Sequence, residues 1–288
     1  MTGELDVGVI VSTETMHARA LTEFVRRLEA LGYESLWLPE LFGREPIATA
    51  GYLLGQCERL RVATGIANVY VRDAHAMAQT RQTLAELSGG RFILGLGVSN
   101  VGLNATRGHD WQTPEPKMRK YLDAMDAAAT ESPEPAQAAP LYIAAHGPKL
   151  QALGAERTDG IITYLMPPEH TAASRARVGP TLAINVVSPF LAESDPAIAR
   201  ATARKALQYY MTLDYYHREW SKLGFTDADF ADGGSDRLID MLVAWGDEDA
   251  LRERVAAYQT AGASRVVIMP FDPVRDDGAD SLSLLAPG

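Results

Sequence analysis

A few polar side chains follow apolar runs of this sequence, at places where they could take part in a reaction. Glu40 closes the run "SLWLP", Asn68 and Tyr70 come just after "LRVATGI", and His17 lies a few residues beyond "DVGVIV". A carboxylate or an imidazole can accept a proton, a phenol can donate one, and an amide can do both in a hydrogen bond. His17, Glu40 and Tyr70 are therefore the candidate catalytic residues.

The sequence lacks the patterns of metal-dependent and nucleophilic enzymes. The stretches that follow the apolar runs contain no H-x-H, HExxH or D-x-D metal pattern, and the sequence has no G-x-S-x-G nucleophile turn and no phosphate-binding P-loop. Cys57 is the only cysteine, which excludes a disulfide framework and a cysteine-based zinc site. We therefore expect a bound organic cofactor to carry the chemistry, with no metal, while the protein orients it.

The stretch "LYIAAHGPKL" begins as an apolar run and ends as a helical pattern, and several of the residues between the two parts are small. Gly147 permits a tight turn, and Pro148 suits the first position of a helix. The amides of Lys149 and Leu150 would then lie unpaired in the first helical turn, where an anion is favoured. The stretch predicts either an anion site or a plain helix start.

Composition and charge narrow the class of protein. The chain has 288 residues, of which 47% are hydrophobic and 22% charged, as in ordinary globular proteins. A chain of this size needs no disulfide to stabilise its core. The net charge of −10 argues against a nucleic-acid partner. The N-terminus does not resemble a signal peptide, and no run of 18 apolar residues would span a membrane. We expect a cytoplasmic protein with a small-molecule substrate.

Eight apolar runs alternate with helical patterns along the chain. Each run is too uniformly apolar for a strand with one solvent-exposed face, so both faces should be buried. Strict alternation of strand and helix gives a parallel sheet. Eight such strands favour a closed (β/α)₈ barrel, also called a TIM barrel, over an open doubly wound sheet. The predicted strands are residues 6–11, 35–39, 60–66, 91–97, 141–145, 160–165, 181–187 and 265–270.

The sequence predicts a single domain over residues 1–288 with two irregular parts. A helical insertion is expected at about 188–246, between the seventh and eighth strands, and a loose tail at about 274–288. Active sites of such barrels lie at the carboxyl ends of the strands. The polar residues that follow the runs should therefore meet at one mouth.

Four stretches, taken in order, resemble the bacterial luciferase-like family of barrel oxidoreductases, and most closely its branch that uses coenzyme F420. The resemblance covers residues 5–165 well and the last two strands loosely. It implies an oxidoreductase with F420 as cofactor, or FMN as the alternative, and a homodimer. The stretches are "GYESLWLPE", "LRVATGI", "LAELSGGRFILGLGVS" and "PLYIAAHGPK".

The resemblance also assigns cofactor contacts. In the family the ring lies against the end of the third strand, where a non-proline cis peptide forms a bulge, here Gly65–Ile66. The acid after the second strand, here Glu40, hydrogen-bonds the ring, although a surface acid is the alternative. The loop after the fifth strand holds the cofactor's phosphate. The implied contacts are Glu40, Gly65, Ile66, Ala67, Asn68, Val98, Ser99, Ala145, His146, Gly147, Pro148 and Lys149.

Two departures bear on the substrate. The F420-dependent sugar-phosphate dehydrogenases of the family carry a histidine where this chain has Leu41, and a glutamate where the nearest match is Asn100. Without that acid–base pair, glucose 6-phosphate is not the expected substrate. Three functions stay open: an F420-dependent oxidoreductase, an FMN-dependent monooxygenase, and a cofactor-binding barrel with little catalysis.

Overall fold

The computed structural model describes residues 6–271 and 281–287, and eight long strands in it close into a parallel barrel. Neighbouring strands pair in chain order, and the eighth strand pairs with both the seventh and the first. This closure confirms the (β/α)₈ prediction over an open sheet. The strands are β1 (Asp6–Ile10), β2 (Ser35–Leu38), β3 (Arg61–Thr64), β4 (Phe92–Gly97), β5 (Leu141–Ala144), β6 (Gly160–Tyr164), β7 (Ala183–Ala192) and β8 (Arg265–Pro270).

Helices surround the barrel on its outer face. The pattern "AHAMAQTRQTLAEL" predicts a helix over residues 74–87, and the helix has these bounds in the structure. The six-residue α4 was not predicted, because it is too short to show a helical period. No helix in the described part of the chain is long and apolar enough to span a membrane. The helices are α1 (Ala18–Ala30), α2 (Pro46–Leu54), α3 (Ala74–Leu87), α4 (Val101–Thr106), α5 (Pro114–Asp126), α6 (Pro148–Arg157), α7 (Pro168–Val178), α8 (Pro196–Leu207), α9 (Asp214–Ser221), α10 (Asp227–Phe230), α11 (Asp236–Leu242), α12 (Glu248–Thr260) and α13 (Ser281–Leu284).

The interior of the barrel is filled by one buried side chain from each strand. Two of these rings, Trp37 and Tyr142, stack across the interior with their centroids 6.2 Å apart. Alternate residues of each strand point outward and pack against the helices, which explains why the runs are apolar throughout. The interior residues are Ile10, Trp37, Ala63, Ile93, Tyr142, Ile162, Val187 and Val267.

The insertion forms a small helical unit with its own core, but it begins later than predicted. The strand β7 continues to Ala192, because the short strand Ala244–Gly246 pairs with its far end. Ser188 and Pro189, which looked like a strand end, therefore lie inside β7. The helices of the insertion span Pro196–Leu242 and bury an apolar cluster that includes Trp220.

Part of the predicted loose tail is ordered and packed, so that prediction is wrong for residues 281–287. Residues 274–280 and 288 lie outside the described residues. The helix α13 buries Leu282 fully, and the Tyr33 hydroxyl donates a hydrogen bond of 2.7 Å to the Leu282 carbonyl. Leu285 is buried as well. The two leucines, spaced three apart, form a short apolar face that the sequence analysis did not detect.

Candidate active site

A break in β3 shapes the mouth of the barrel. Pairing with β4 joins Ala63 to Ile93 and resumes where Ala67 meets Leu96, so the three residues 64–66 oppose the two residues 94–95. The extra residue makes a bulge, which re-aims the backbone at the strand end. The peptide bond between Gly65 and Ile66, inside this bulge, is cis, as the resemblance implies.

Two glycines of β4 make room for the bulge. A Cβ at Gly95 would lie 2.2 Å from the Thr64 carbonyl oxygen, and one at Gly97 would lie 2.5 Å from Cγ1 of Ile66. The Thr64 hydroxyl also donates to the Gly95 carbonyl at 2.7 Å and accepts from the Gly95 amide at 2.9 Å. The "GLG" of the fourth strand, which is part of the motif shared with the family, thus has a steric reason.

Glu40 is buried at the mouth and is not a surface acid. Only 7% of the residue is exposed. Its Oε2 accepts hydrogen bonds from the Asn68 amide at 2.7 Å and from Nη1 of Arg72 at 2.9 Å, while Oε1 lies 3.6 Å from Nη1 of Arg107. Arg72 also pairs with Glu45. The carboxylate therefore ties the end of β2 to the bulge, and sequence reasoning missed both arginines because they follow no strand directly.

Asn68 is buried, and its side chain is fully engaged within the protein. Its Nδ2 donates to Oδ1 of Asn104 at 2.8 Å, and its Oδ1 accepts from the Tyr70 amide at 3.0 Å. Asn104 in turn donates to the Val98 carbonyl at 2.8 Å. Ser99, the next residue, has a left-handed backbone with φ of 60°. This network holds the loops after β3 and β4 together, and Asn104 is a positioning residue that the sequence did not reveal.

The two other candidate catalytic residues lie apart from Glu40. His17 is exposed at the start of α1, and within the described residues no hydrogen bond or ring contact joins its side chain to Glu40 or Tyr70. The Tyr70 hydroxyl accepts a hydrogen bond of 2.9 Å from the Gln112 amide, and its ring stacks on Trp111. The structure therefore does not bring His17, Glu40 and Tyr70 into one cluster.

The loop after β5 ends at an uncapped helix. Gly147 stands at the N-cap of α6, and no side chain of the described residues caps it. Gln151, which is fully buried, donates to the His146 carbonyl at 2.9 Å and to the Ser174 hydroxyl at 2.8 Å. These bonds fix the loop from behind and leave the amides of the first turn without a side-chain partner. The exposed residues Pro148 and Lys149 follow, and Ala145 is buried.

A carboxylate from the insertion lies beside this loop. Oε1 of Glu219 is 3.6 Å from the position that a Cβ of Gly147 would take, and it accepts a hydrogen bond of 2.7 Å from Nζ of Lys222. Because Lys222 balances the charge of Glu219, the helix terminus stays compatible with an anion. No sequence pattern indicated this pair, because Glu219 and Lys222 lie more than sixty positions along the chain from the loop.

The imidazole of His146 faces the insertion and not the loop. Its Nε2 accepts a hydrogen bond of 3.0 Å from the Tyr164 amide, and its ring packs on Tyr215 and Tyr216. Burial, together with the smaller effect of the nearby His170, lowers the pKa of His146 to about 3. The side chain is therefore neutral at pH 7 and joins β6 to the insertion.

This burial predicts a loss of stability in acid. His146 stays neutral in the folded chain down to about pH 3, whereas the unfolded residue binds a proton below about pH 6.5. The free energy of unfolding should therefore be complete above pH 6.5 and fall toward pH 3, by up to about 1.4 kcal/mol per pH unit. Urea unfolding between pH 4 and 8 measures the slope. The variant His146→Gln should have a shallower slope than the parent, and an equal slope would contradict the prediction.

The two positions that depart from the sugar-phosphate dehydrogenases have structural partners. The Leu41 carbonyl accepts a hydrogen bond from Arg107. Asn100 caps α4 by accepting from the Leu103 amide at 2.9 Å, and its Oδ1 also lies 3.2 Å from the Tyr209 hydroxyl. The insertion thus reaches the loop after β4, and no acid–base pair forms between these two positions.

Aromatic rings cover the side of the mouth next to the insertion. Tyr164, at the end of β6, packs against the barrel interior, and its ring contacts Tyr210 edge-on at 5.1 Å. Its hydroxyl lies 3.2 Å from the Met269 sulfur. Burial raises the pKa of Tyr164 well above its usual value, so the phenol keeps its proton. This wall offers a ligand apolar faces and a few neutral polar groups.

Other concave or polar regions do not compete with the mouth as the reaction site. A cavity of about 640 Å³ lies on the outer wall between α3, α5 and residues 128–139. Its cation, Arg81, is engaged with the Ala139 carbonyl. Within residues 6–271 and 281–287, no three His, Cys, Asp or Glu side chains are grouped as metal ligands. We therefore place the candidate site at the mouth, where Glu40, the bulge and the loop after β5 lie at the ends of barrel strands.

Comparison with known proteins agrees with this architecture. The sequence matches the family model of luciferase-like monooxygenases over residues 5–265. The chain belongs to this family. It is 25% identical to a Mycobacterium tuberculosis protein provisionally named a coenzyme F420-dependent oxidoreductase, over 85% of this chain and 89% of that protein.

Two further proteins are similar to this chain over nearly its whole length. The 5,10-methylenetetrahydromethanopterin reductase of Archaeoglobus fulgidus is 24% identical, over 92% of this chain and 93% of the reductase. The coenzyme F420-dependent tetrahydromethanopterin reductase of Methanopyrus kandleri has a similar structure, with a TM-score of 0.73 and 16% identity, covering 99% of this chain and 98% of that protein. The latter likeness shows the shared fold.

Proposed function

We propose that this protein is a coenzyme F420-dependent oxidoreductase that passes a hydride between the deazaflavin and a small organic molecule. The observation that carries the proposal is the buried Glu40 carboxylate, which is hydrogen-bonded to the Asn68 amide at the bulge of β3. An acid at this place is what the family resemblance implies for contact with the cofactor ring. The names of the curated relatives that refer to F420 support the same cofactor.

The residues at the mouth fit such a cofactor. A Cβ on Gly65 would lie 3.1 Å from Ile10 and 3.2 Å from Trp37, so the backbone there packs closely on the barrel interior, while Gly65 and Ile66 stay partly exposed. Glu40, the bulge at Gly65–Ile66 and the backbone of Val98–Ser99 would hold the ring, and the start of α6 would hold the phosphate. When bound, the deazaflavin supplies hydride chemistry, which needs no metal.

The site favours a substrate other than a sugar phosphate. Leu41 and Asn100 stand where the sugar-phosphate dehydrogenases of the family carry their acid–base pair, and here they bind Arg107 and the start of α4. The mouth is bordered instead by Tyr164 and Tyr210. We propose a neutral organic substrate. A cytoplasmic location and a homodimer stay predictions from the sequence and the resemblance.

A binding titration tests the cofactor. Trp37 lies directly beneath the bulge, so a ring bound there should quench its fluorescence. We expect saturable quenching with F420 and a much weaker response to FMN. Tight FMN binding without an F420 response would favour an FMN-dependent monooxygenase and overturn the proposal. Binding of F420 without hydride transfer to or from any compound in a panel of neutral alcohols and ketones would favour a barrel with little catalysis.

The loop after β5 gives a separate prediction. Gly147 has φ of −90° and ψ of 163°, a backbone that valine adopts without strain, so Gly147→Val should fold normally. Its side chain would cover the amides of α6, and we expect F420 affinity to fall by at least about tenfold. Fluorescence titration measures the affinity. Gly55→Val, at the end of α2, is the control and should bind as the parent does; equal affinity in Gly147→Val would refute the role of the loop.

A further inference from the structure

A second pocket lies on the outer wall of the barrel, close to the mouth. It has a volume of about 350 Å³ and is formed by the segment after the bulge, by Gln112 and by the first half of α5. The helix α5 packs between α3 and α6, and the pocket includes Ala74 of α3. It is therefore separate from the start of α6, where the phosphate of the cofactor is expected.

Two lysines line this pocket. The sequence has five lysines, and Lys117 and Lys120 both face this one cavity from α5. Nζ of Lys117 lies 4.5 Å from the centroid of the Tyr70 ring. Within the described part of the chain, neither ammonium has a carboxylate within 4 Å. Burial lowers the pKa of Lys117, and the charge of Lys120 lowers it further, as expected for two cations without a counter-charge.

The nearby acids are committed to other partners. Asp73 also lines the pocket, but its carboxylate accepts from the Ala76 amide at 2.9 Å and so caps α3. Glu115 pairs with Arg119 at 2.8 Å on the same helix as the lysines. Arg72, the third cationic side chain of the pocket, already pairs with Glu40 and Glu45. Residues 6–271 and 281–287 therefore supply no neutralising group for the two lysines.

We propose that this lysine pocket binds the anionic group, a phosphate or a carboxylate, of a small ligand between Lys117 and Lys120, with the Tyr70 ring as one wall. An anion would receive charge-assisted hydrogen bonds from two ammoniums that otherwise repel each other. Val69 and Tyr70 line the pocket and follow Asn68, whose amide holds Glu40. A ligand there contacts the same loop that shapes the mouth. The proposal does not depend on the identity of the cofactor.

Titration of the full chain with simple anions tests the proposal. Inorganic phosphate and succinate are added separately, and the side-chain NMR signals of the five lysines are followed. We expect the signals of Lys117 and Lys120 to move together and to saturate with at least one of the two anions, while Lys205 does not move. Saturation with phosphate alone would identify a phosphate ligand, and saturation with succinate alone a carboxylate ligand.

Substitutions distinguish a specific anion site from non-specific attraction of anions to lysines. Lys117→Gln and Lys120→Gln should each weaken anion binding by about tenfold, because each removes one charged donor. Lys205→Gln makes the same charge change on the exposed face of α8 and should leave binding unchanged. Equal shifts of all five lysine signals, or an affinity unaltered in both pocket variants, would overturn the proposal. Thermal unfolding of each variant checks that the fold is intact.

Discussion

Replacing Gly95 with alanine should destabilise the protein by about 3 kcal/mol, near the upper end for overpacking a core. The new methyl would lie 2.2 Å from the Thr64 carbonyl oxygen, which is backbone and belongs to the neighbouring strand. Thr64 cannot retreat, because its hydroxyl is bonded to both the amide and the carbonyl of Gly95. In a closed barrel, a shift of one strand must be absorbed by all the others. Guanidinium unfolding measures the change.

A control for this variant is available in a helix. Gly51 lies on the exposed side of α2, where a Cβ would make only an ordinary contact of 3.5 Å with Leu84. Gly51→Ala should therefore be neutral or stabilise the protein by about 0.5–1 kcal/mol, since alanine is the better helix former. If Gly95→Ala unfolds at the same denaturant concentration as Gly51→Ala, the close contact with Thr64 does not constrain the barrel.

Glu40→Ala should cost about 3 kcal/mol of stability and lower F420 affinity by about a hundredfold. The carboxylate is buried, and its loss leaves the Asn68 amide without its acceptor and Arg72, whose side chain is 16% exposed, with only the exposed Glu45 as partner. The bulge would then lose the bond that fixes it to β2. Chemical unfolding gives the first number, and fluorescence titration with F420 gives the second.

Two further variants distinguish charge from geometry. Glu40→Gln keeps an oxygen for the Asn68 amide but removes the charge that balances Arg72, so we expect an intermediate loss in both measurements. Glu45→Gln removes the other, exposed partner of Arg72 and should change stability by less than about 1 kcal/mol. An affinity for F420 that is unchanged in both Glu40 variants would show that this acid is only structural, and would remove the main support for the proposed function.

The sequence alone was sufficient to identify the fold class. Uniformly apolar runs such as "RFILGLG", which alternate with amphipathic helices, indicate that both faces of each strand are buried. This pattern can be recognised within each segment of the sequence, without knowledge of its partners. The helix at 74–87 has the predicted bounds because its pattern is also local, and the two glycines Gly89 and Gly90 follow its end. The place of the bulge at Gly65–Ile66 came from the resemblance and agrees with the structure.

The ends of the strands and helices, and the contacts between distant segments of the barrel, could be predicted less well from the sequence. The strand β7 extends to Ala192 only because a short strand fifty residues later pairs with it, and α13 is held by Tyr33 from the other end of the chain. No local pattern carries information about a partner at such a distance. The predictions that the seventh strand ends at Val187 and that a loose tail begins at about residue 274 rested on local turn residues. Contacts with distant segments extend the ordered structure beyond them.

The sequence by itself determined which residue types stand at the ends of the strands: an acid, two glycines, an amide and a glycine–proline turn. The tertiary structure decided which of them act together. Only barrel closure places Glu40 against Arg72 and the bulge, turns His146 away from its own loop and sets Gly95 against the Thr64 carbonyl. Strand register and packing fix these contacts between segments that are distant in the chain, and such contacts have no periodic signature in the sequence.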